Sequence, residues 1–584
     1  MAGTTGSQRV PYIVLRFMRR PILVLVVVYA TSMIGWAVIP GPEGYPEPLS
    51  FFHAFYFLTY TATTTGFGEI PHAFSDAQRM WSIVSLYAGV VAWLYALGAI
   101  IHLFQNPHFQ RALAERRFAK DVAKLAEPFV IVCGFGNRGS LLTRGLSDAG
   151  VPAVILDSEP DRIHAVYLRD YRVPTPALCA DARIPDRLIE AGLTHRHCRS
   201  VVALTADEEV NAKIAIAARL VNPRVRVVAQ LTQHIYEETL ATLGPDVHIV
   251  DPFQTFARYL GATIHNPLVH MLNEWLIGAP KANLAMYADA PEGRWILCGY
   301  GRMGQAIHQA LEALELETLV IDPTFSPDEA SAGRIAGRAN QRTLLEAGIQ
   351  DAAGIVVGTN ADSDNLGIAL NARALNPEIF VVVRQNRHRN QELFEAAQAD
   401  LVVQPTLVSA RRILFLLIAP LLRVFFEKVR ESQTRDDAFV VELIRILNAT
   451  VGGTEPPRLW SVKVDATNTP ALAELLAEGT TVSVGDLVRD PCRREHSLAC
   501  LPLVVSDGES AAVMPSISRA IGDGDEILFC GTTRAHRLLD ASLHNAYTLR
   551  YLVTGQDVSR SMVLAWLAKR LRPPTPAGGQ PASA

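Results

Sequence analysis

The sequence predicts an α-helical membrane domain of two spanning helices and a re-entrant segment, followed by two doubly wound α/β units and a small α+β lobe. Three observations carry this expectation. Residues 21–39 and 80–104 are apolar runs without Asp, Glu, Lys or Arg, each near the roughly 20 residues a helix needs to cross a bilayer. Residues 129–157 and 294–322 repeat one another, each reading strand, glycine-rich turn, helix and second strand. Residues 440–531 form a last, β-rich stretch ending in GDGDEILFCG. At 584 residues the chain exceeds what one core supports. With 49% hydrophobic and 19% charged residues and a net charge of -4, it offers no basis for nucleic-acid binding.

The two apolar runs set the membrane topology. Arg16, Arg19 and Arg20 precede the first, and Arg111, Arg116, Arg117 and Lys120 follow the second. The segment between them carries Glu43, Glu47, Glu69 and Asp76. The positive-inside rule then places both termini in the cytoplasm of a cell whose inner (plasma) membrane the chain crosses twice. The competing reading is a cleaved signal, for which Ile39-Pro40-Gly41-Pro42 is a poor site. Seven cysteines without paired metal-ligand spacing suit a reducing compartment. The expected parts are a cytoplasmic N-terminus over 1–20, spans over 21–39 and 80–104, and lipid around them.

Between the spans, LSFFHAFYFLTYTAT is apolar and aromatic but too short to cross, which predicts a helix over 50–63 that enters and turns back. Thr64 to Gly68 then lies as non-helical backbone at membrane depth, which survives only where protein or a water-filled cavity satisfies its polar groups. An extracellular loop capped by a small amphipathic helix is the alternative. The residue types favour the former, since Gly66 and Gly68 permit conformations in which successive carbonyls point the same way, and a row of carbonyls replaces a cation's hydration shell. TATTTGFGE resembles the pore-helix and filter signature of potassium channels, with Thr64, Thr65, Gly66, Phe67, Gly68 and Glu69 in its six places. The resemblance continues in register to Arg79 and to Gly89, where the family has a hinge glycine; close helix packing is the other reading of Gly89. It implies K+ coordinated at Thr64, Thr65, Gly66 and Phe67, and a homotetramer around the pore. Two departures are Thr65, where valine is usual, and Tyr60, where some bacterial members carry glutamate. They keep a poorly selective cation channel as the alternative within the class.

In the repeats, glycines and terminal aspartates stand 165 residues apart, 134 to 299 and 157 to 322. The register continues from EAGL at Glu190 to EAGI at Glu346, from LTADEEVN at Leu204 to GTNADSDN at Gly358, and from NPRVRVVAQ at Asn222 to NPEIFVVVRQ at Asn376. A strand runs into G-x-G-x-x-G each time, as Gly134, Phe135, Gly136, Asn137, Arg138 and Gly139, then as Gly299, Tyr300, Gly301, Arg302, Met303 and Gly304. Asp157 and Asp322 end the next strand. Such glycines let a pyrophosphate approach a helix N-terminus, and the acid accepts hydrogen bonds from a ribose. The alternative is a scaffold that keeps the glycines only for helix–sheet packing. Asp181 and Thr205 complete the candidate set of the first repeat. Where the first has Ala180-Asp181-Ala182, the second has Gly337-Arg338-Ala339. An acidic setting favours NAD or NADH at the first loop, and a cationic one favours ADP or ATP at the second.

The pair resembles the Rossmann-like RCK (KTN) domains that regulate potassium channels and Trk-type transporters. This implies nucleotide gating through a cytoplasmic ring of eight RCK units in the tetramer. The expected boundaries are a linker over 105–127, a first RCK domain with crossover helices over 128–290, a second over 293–435, a C-terminal lobe over 436–535, and a helical segment with a disordered tail over 536–584. In the family the helical segments after each unit swap across subunits or repeats. RRILFLLIAPLLRVFFEKV, interrupted by Pro420 and Arg423, predicts a packed helix rather than a third span. Asp523, Asp525 and Glu526 read as a β-turn rather than Ca2+ ligands, since calcium needs about six or more oxygens, and His195-Arg196-His197-Cys198 reads as surface. A membrane-tethered NAD-dependent oxidoreductase is the competing function. It lacks a substrate domain with a positioned acid/base and leaves the filter signature unexplained, so no enzyme is expected.

Overall fold

The computed structural model describes residues 5–68, 72–233, 235–278, 283–284, 291–326, 333–433 and 438–556. The chain divides into two compact units: Met1–Pro128 with Val154–Arg169 and Pro174–Cys198, and the remainder.

In the first unit an outer helix, Thr5–Val38, a short pore helix, Phe51–Ala62, and an inner helix, Asp76–Gln105, pack together. Stretches Val14–Val38 and Asp76–Gln105 are long and apolar enough to cross a membrane. Their contact is anchored by Trp36, fully buried against Leu49, Ala54 and Leu58, with its ring 5.0 Å from Phe57 and 4.8 Å from Phe74. Ser75 begins the inner helix with a capping box to Gln78. Small residues Ser85, Gly89, Ala92 and Ala96 form its buried stripe, the pattern that lets membrane helices approach closely. Val24, Val27, Val91 and Leu94 are exposed, an apolar surface suited to hydrocarbon rather than water.

The expected linker is itself helical. Asn106 stops the inner helix and its side chain accepts the amides of His108 and Phe109 at 2.9 and 3.3 Å, so a linker helix, Pro107–Ala123, restarts at once. It buries Phe109, Phe118 and Val122 and packs on the edge strand Ala177–Cys179. Glu115 on it meets Arg187 at 3.0 Å, each about a quarter exposed.

Each α/β unit has a six-stranded parallel sheet. Numbered in chain order within each repeat, the strands lie in the order 3-2-1-4-5-6 both times, the doubly wound order whose switch point falls between strands 1 and 4. Strand runs such as FVIVC and WILC are buried throughout, as a sheet covered on both faces requires.

The crossover helices are exchanged between repeats of one chain. Pro252–His265, after the first repeat, packs on Arg302–Glu312, the glycine-loop helix of the second. Pro405–Ile418, after the second, packs on Asn137–Asp148, the glycine-loop helix of the first. Phe256, Ala257 and Leu260 accordingly belong to the core around Trp295 and Ile307. The apolar run from Arg411 is two helices broken at Pro420, the second being Pro420–Gln433, with Ile413, Leu417, Phe425 and Val429 buried.

The terminal lobe corrects one expectation. The stretch from Val440 is not β-rich at its start, because Ala438–Val451 is a helix whose Val440, Leu443 and Leu447 share a core with Trp275 and Phe425. Its repeating apolar positions have helical spacing, and burial against the crossover pairs overrides the β-branched composition. The sheet proper has four antiparallel strands, ordered Arg458–Lys463, Glu526–Gly531, Cys500–Ser506 and Ala511–Val513. GDGDE is a turn, with Gly524 at φ +89° and the Asp525 carboxylate accepting the Gly522 amide at 2.9 Å. Helices Thr533–Leu543 and Ala546–Thr554 follow, and the tail from residue 557 lies outside the described residues.

Candidate functional sites

The filter stretch leaves the pore helix through main-chain bonds. The amides of Thr65 and Gly66 donate to the Tyr60 carbonyl at 3.0 and 3.3 Å, and the Thr64 amide donates to Thr61 at 3.0 Å. Beyond this, φ is positive at every second residue: 58° at Thr64, 63° at Gly66 and 79° at Gly68. A left-handed threonine is strained and is held only where its surroundings over-determine it. The Thr65 hydroxyl lies 3.0 Å from that of Thr63, and the Phe67 ring meets Tyr56 edge-on at 6.4 Å. Residues 64–68 are all exposed. Glu69 lies outside the described residues. At Gly89 an added Cβ would come 3.2 Å from the Cβ of Ala62, a tight approach to the helix Phe51–Ala62.

The two glycine loops are built alike. Gly134 and Gly299 have φ of +100° and +101°, and Cβ atoms on Gly139 and Gly304 would stand 2.0 Å from the carbonyls of Gly134 and Gly299. The middle glycines, Gly136 and Gly301, each precede a helix with no side-chain cap and face open space within 4 Å. Free amides at an uncapped N-terminus, with nothing filling the approach, fit a phosphate. Thr205 does not present a free hydroxyl, for it bonds Asn211 and the Asp207 carbonyl at 2.7 and 2.9 Å. Thr359 repeats this with Asn365 at 2.6 Å.

The acids differ. Asp157, in the first unit, is buried, accepts the Glu159 amide at 2.9 Å and has Arg162 at 3.4 Å. Asp181 is engaged by its neighbour Arg183, whose guanidinium spans both carboxylate oxygens at 2.7 to 3.0 Å and holds this acid below its ordinary pKa. The acidic setting expected from Asp181 is therefore largely neutralised. Asp322 is buried and accepts the Tyr300 amide and both the amide and hydroxyl of Thr324. Burial pushes its carboxyl up, but these donors outweigh it and keep it ionised.

At the second loop a pocket of about 790 Å³ is lined by Gly299, Gly301 and Gly304 with Asp322, Arg338 and Arg384, within the size range of small-molecule sites. Residues 22–106 match the ion-channel family model, and residues 130–251 and 295–405 match that of the TrkA-N domain. The chain joins an ion-channel domain to two TrkA-N domains. It is 25% identical over 223 residues to potassium channel protein 1 of Methanocaldococcus jannaschii, covering 38% of this chain and 64% of that one. To the probable potassium channel protein 2 of the same organism it is 23% identical over 208 residues, covering 35% and 59%. The chain thus spans less than two thirds of these relatives' length. Among solved structures the GsuK channel shares the fold, with a TM-score of 0.50 and 18% identity over 91% of this chain and 99% of that one. Both of these relatives are named as potassium channel proteins.

The second TrkA-N site also draws on residues that the sequence reading missed. Phe253, from the exchanged crossover helix, lines its pocket and carries the Arg302 guanidinium 5.0 Å above its ring. Arg302 also reaches Thr232 at 3.1 Å and Glu208 at 3.6 Å, both in the first TrkA-N domain. Arg384 is held by the Asn360 side chain at 3.1 Å, with its pKa lowered by burial and by Arg138 of the other domain. Nothing in the linear spacing announces these contacts: that of Phe253 depends on helix exchange, and those of Arg302 with Thr232 and Glu208 on which segments of the two domains meet.

Proposed function

We propose that the chain is one subunit of a homotetrameric, potassium-selective channel, crossing the inner membrane with both termini in the cytoplasm and gated by nucleotides at its TrkA-N domains. The alternation of positive φ at Thr64, Gly66 and Gly68 carries the reading, since it supports a column of carbonyls from Thr64, Thr65, Gly66 and Phe67 as K+ ligands. One exposed wall per chain calls for closed symmetry to complete the ring. The pairing of the Thr65 and Thr63 hydroxyls favours a braced filter over a loose, poorly selective one. NAD or NADH is the ligand read for the first glycine loop, with its pyrophosphate on the amides following Gly136; Asp157 is the motif's acid for the ribose by sequence. ADP or ATP at the second would meet the amides following Gly301, with Asp322 and Arg338. The bias of a ligand held at Asp157 has a route to the gate within the first unit. Asp157 pairs with Cys179 on the edge strand, and the linker helix that continues from the inner helix packs on that strand. A ligand shifts the gate only by its differential affinity for open and closed states.

Bi-ionic reversal potentials of the full chain in planar bilayers test the pore assignment. Selectivity for K+ over Na+ is expected, together with a change of open probability on adding NAD(H). Gly66→Ala should abolish or deselect the current. Its Cβ would meet nothing within 4 Å, so the effect arises from forcing alanine into φ +63°, which costs about 1 to 2 kcal/mol. Unchanged selectivity in that variant removes the assignment.

A further inference from the structure

A second large cavity, of about 680 Å³, lies between the two crossover helix pairs and shares no lining residue with the nucleotide pocket. Five arginines line it: Arg258, Arg411, Arg412, Arg423 and Arg430. Two have carboxylate partners there, Arg411 with Glu274 at 3.9 Å and Arg423 with Glu427 at 3.5 Å. Arg258, Arg412 and Arg430 have no carboxylate within ion-pair distance among the described residues. Arg412 is partly buried, and its guanidinium is depressed to about 10 by burial and by the charges of Arg258 and Arg430. Thr255, also in the lining and 3% exposed, leaves its buried hydroxyl without a hydrogen-bond partner. The lining also includes Tyr259, Phe415, Leu422 and Phe426.

Arg258 and Arg430 are exposed and Arg412 is half-buried; the like charges gathered around Arg412 disfavour the empty state, and an unmatched hydroxyl adds to that. An anion removes both penalties. Guanidinium forks match phosphate oxygens in pairs, and the cavity volume suits a ligand with an uncharged part beside the phosphate. We propose that this cavity binds a soluble organic phosphate carrying two or more negative charges. Arg258, Arg412 and Arg430 would hold the phosphate, Thr255 would donate to it, and Tyr259 and Phe415 would take the uncharged portion. Because the cavity joins the crossover helices of both TrkA-N domains, such a ligand would stiffen their junction and modulate the response to nucleotide at the glycine loops.

The test uses the full chain in phosphatidylcholine nanodiscs, titrated calorimetrically with inorganic triphosphate. Gly136→Asp with Gly301→Asp places carboxylates in both glycine loops, so any remaining binding is independent of the nucleotide reading. In that background triphosphate should still bind. Adding Arg412→Gln should weaken it about tenfold or more, Arg430→Gln should act in the same direction, and Arg412→Lys should be intermediate. Without ligand, Arg412→Gln should melt at or above the temperature of its parent, since it relieves repulsion; a residue of purely structural value would lower it. Loss of all triphosphate binding in the double-loop variant overturns the proposal, as does binding unaffected by both glutamine substitutions. Tighter binding of dioctanoyl phosphatidylglycerol than of triphosphate also overturns it, by assigning the arginines to a lipid head group.

Discussion

Asp157 and Asp322 end equivalent strands, and both are buried. Asp322 already accepts from the Tyr300 amide and twice from Thr324, which uses three of the roughly four lone-pair directions a carboxylate offers. A ribose at the second loop therefore finds little free capacity, while Arg338 and Arg384 in the same pocket welcome phosphate charge. Arg338, standing where the first repeat has Asp181, predicts an asymmetry on substitution. Asp157→Ala should lower NAD(H) affinity about tenfold or more, the worth of charge-assisted bonds, and remove most of its effect on gating. Asp322→Ala should change NAD(H) binding less. Calorimetry on the full chain, with each variant compared to its parent, reads both numbers, and the reverse order would exchange the two site assignments.

The linker helix is the element through which a nucleotide would act on the inner helix, and its charge contact is specific. Glu115 lies 3.0 Å from Arg187, which also holds Glu190 at 2.6 Å, all three being partly shielded from solvent. Glu115→Ala should keep nucleotide binding intact while reducing the ligand-induced change in open probability, by about 0.5 to 2 kcal/mol of coupling. The charge swap, Glu115→Arg with Arg187→Glu, should restore part of it. Single-channel recording across a nucleotide titration measures this directly. A full response in Glu115→Ala would mean that the bias travels elsewhere along the Phe118 and Val122 packing.

At the scale of the whole chain, helix exchange makes the junction of the two TrkA-N domains a single folding unit, and a buried acid gives it a pH dependence. Burial raises the Glu274 carboxyl to about 7, with Arg411 only partly opposing. An acid raised above its unfolded value of about 4.3 stabilises the fold fully below that value, and the stabilisation is lost as pH rises through 7. Wild type should therefore lose stability between about pH 4.5 and 7.5 relative to Glu274→Gln, by at most about 1.4 kcal/mol per pH unit. Parallel melting curves of the two proteins across that range decide it, and identical slopes would exclude the effect. Much of the architecture was legible in the chain by itself: two long apolar helices from their composition, the positive φ at Gly66 and Gly68 from their lack of a side chain, and two parallel units from a repeat that carries its own glycines and acids. These are local properties, set by periodicity and by which residues tolerate a given φ. Only the tertiary structure decided that Asp181 is spent on Arg183, that Ala438–Val451 is helical, that Phe253 and Glu208 reach the second glycine-loop helix, and that Arg258, Arg412 and Arg430 line one cavity with no carboxylate at ion-pair distance among the described residues. Those outcomes depend on which distant segments pack together, and the exchange of crossover helices between repeats brings them into contact over separations that no sequence window spans.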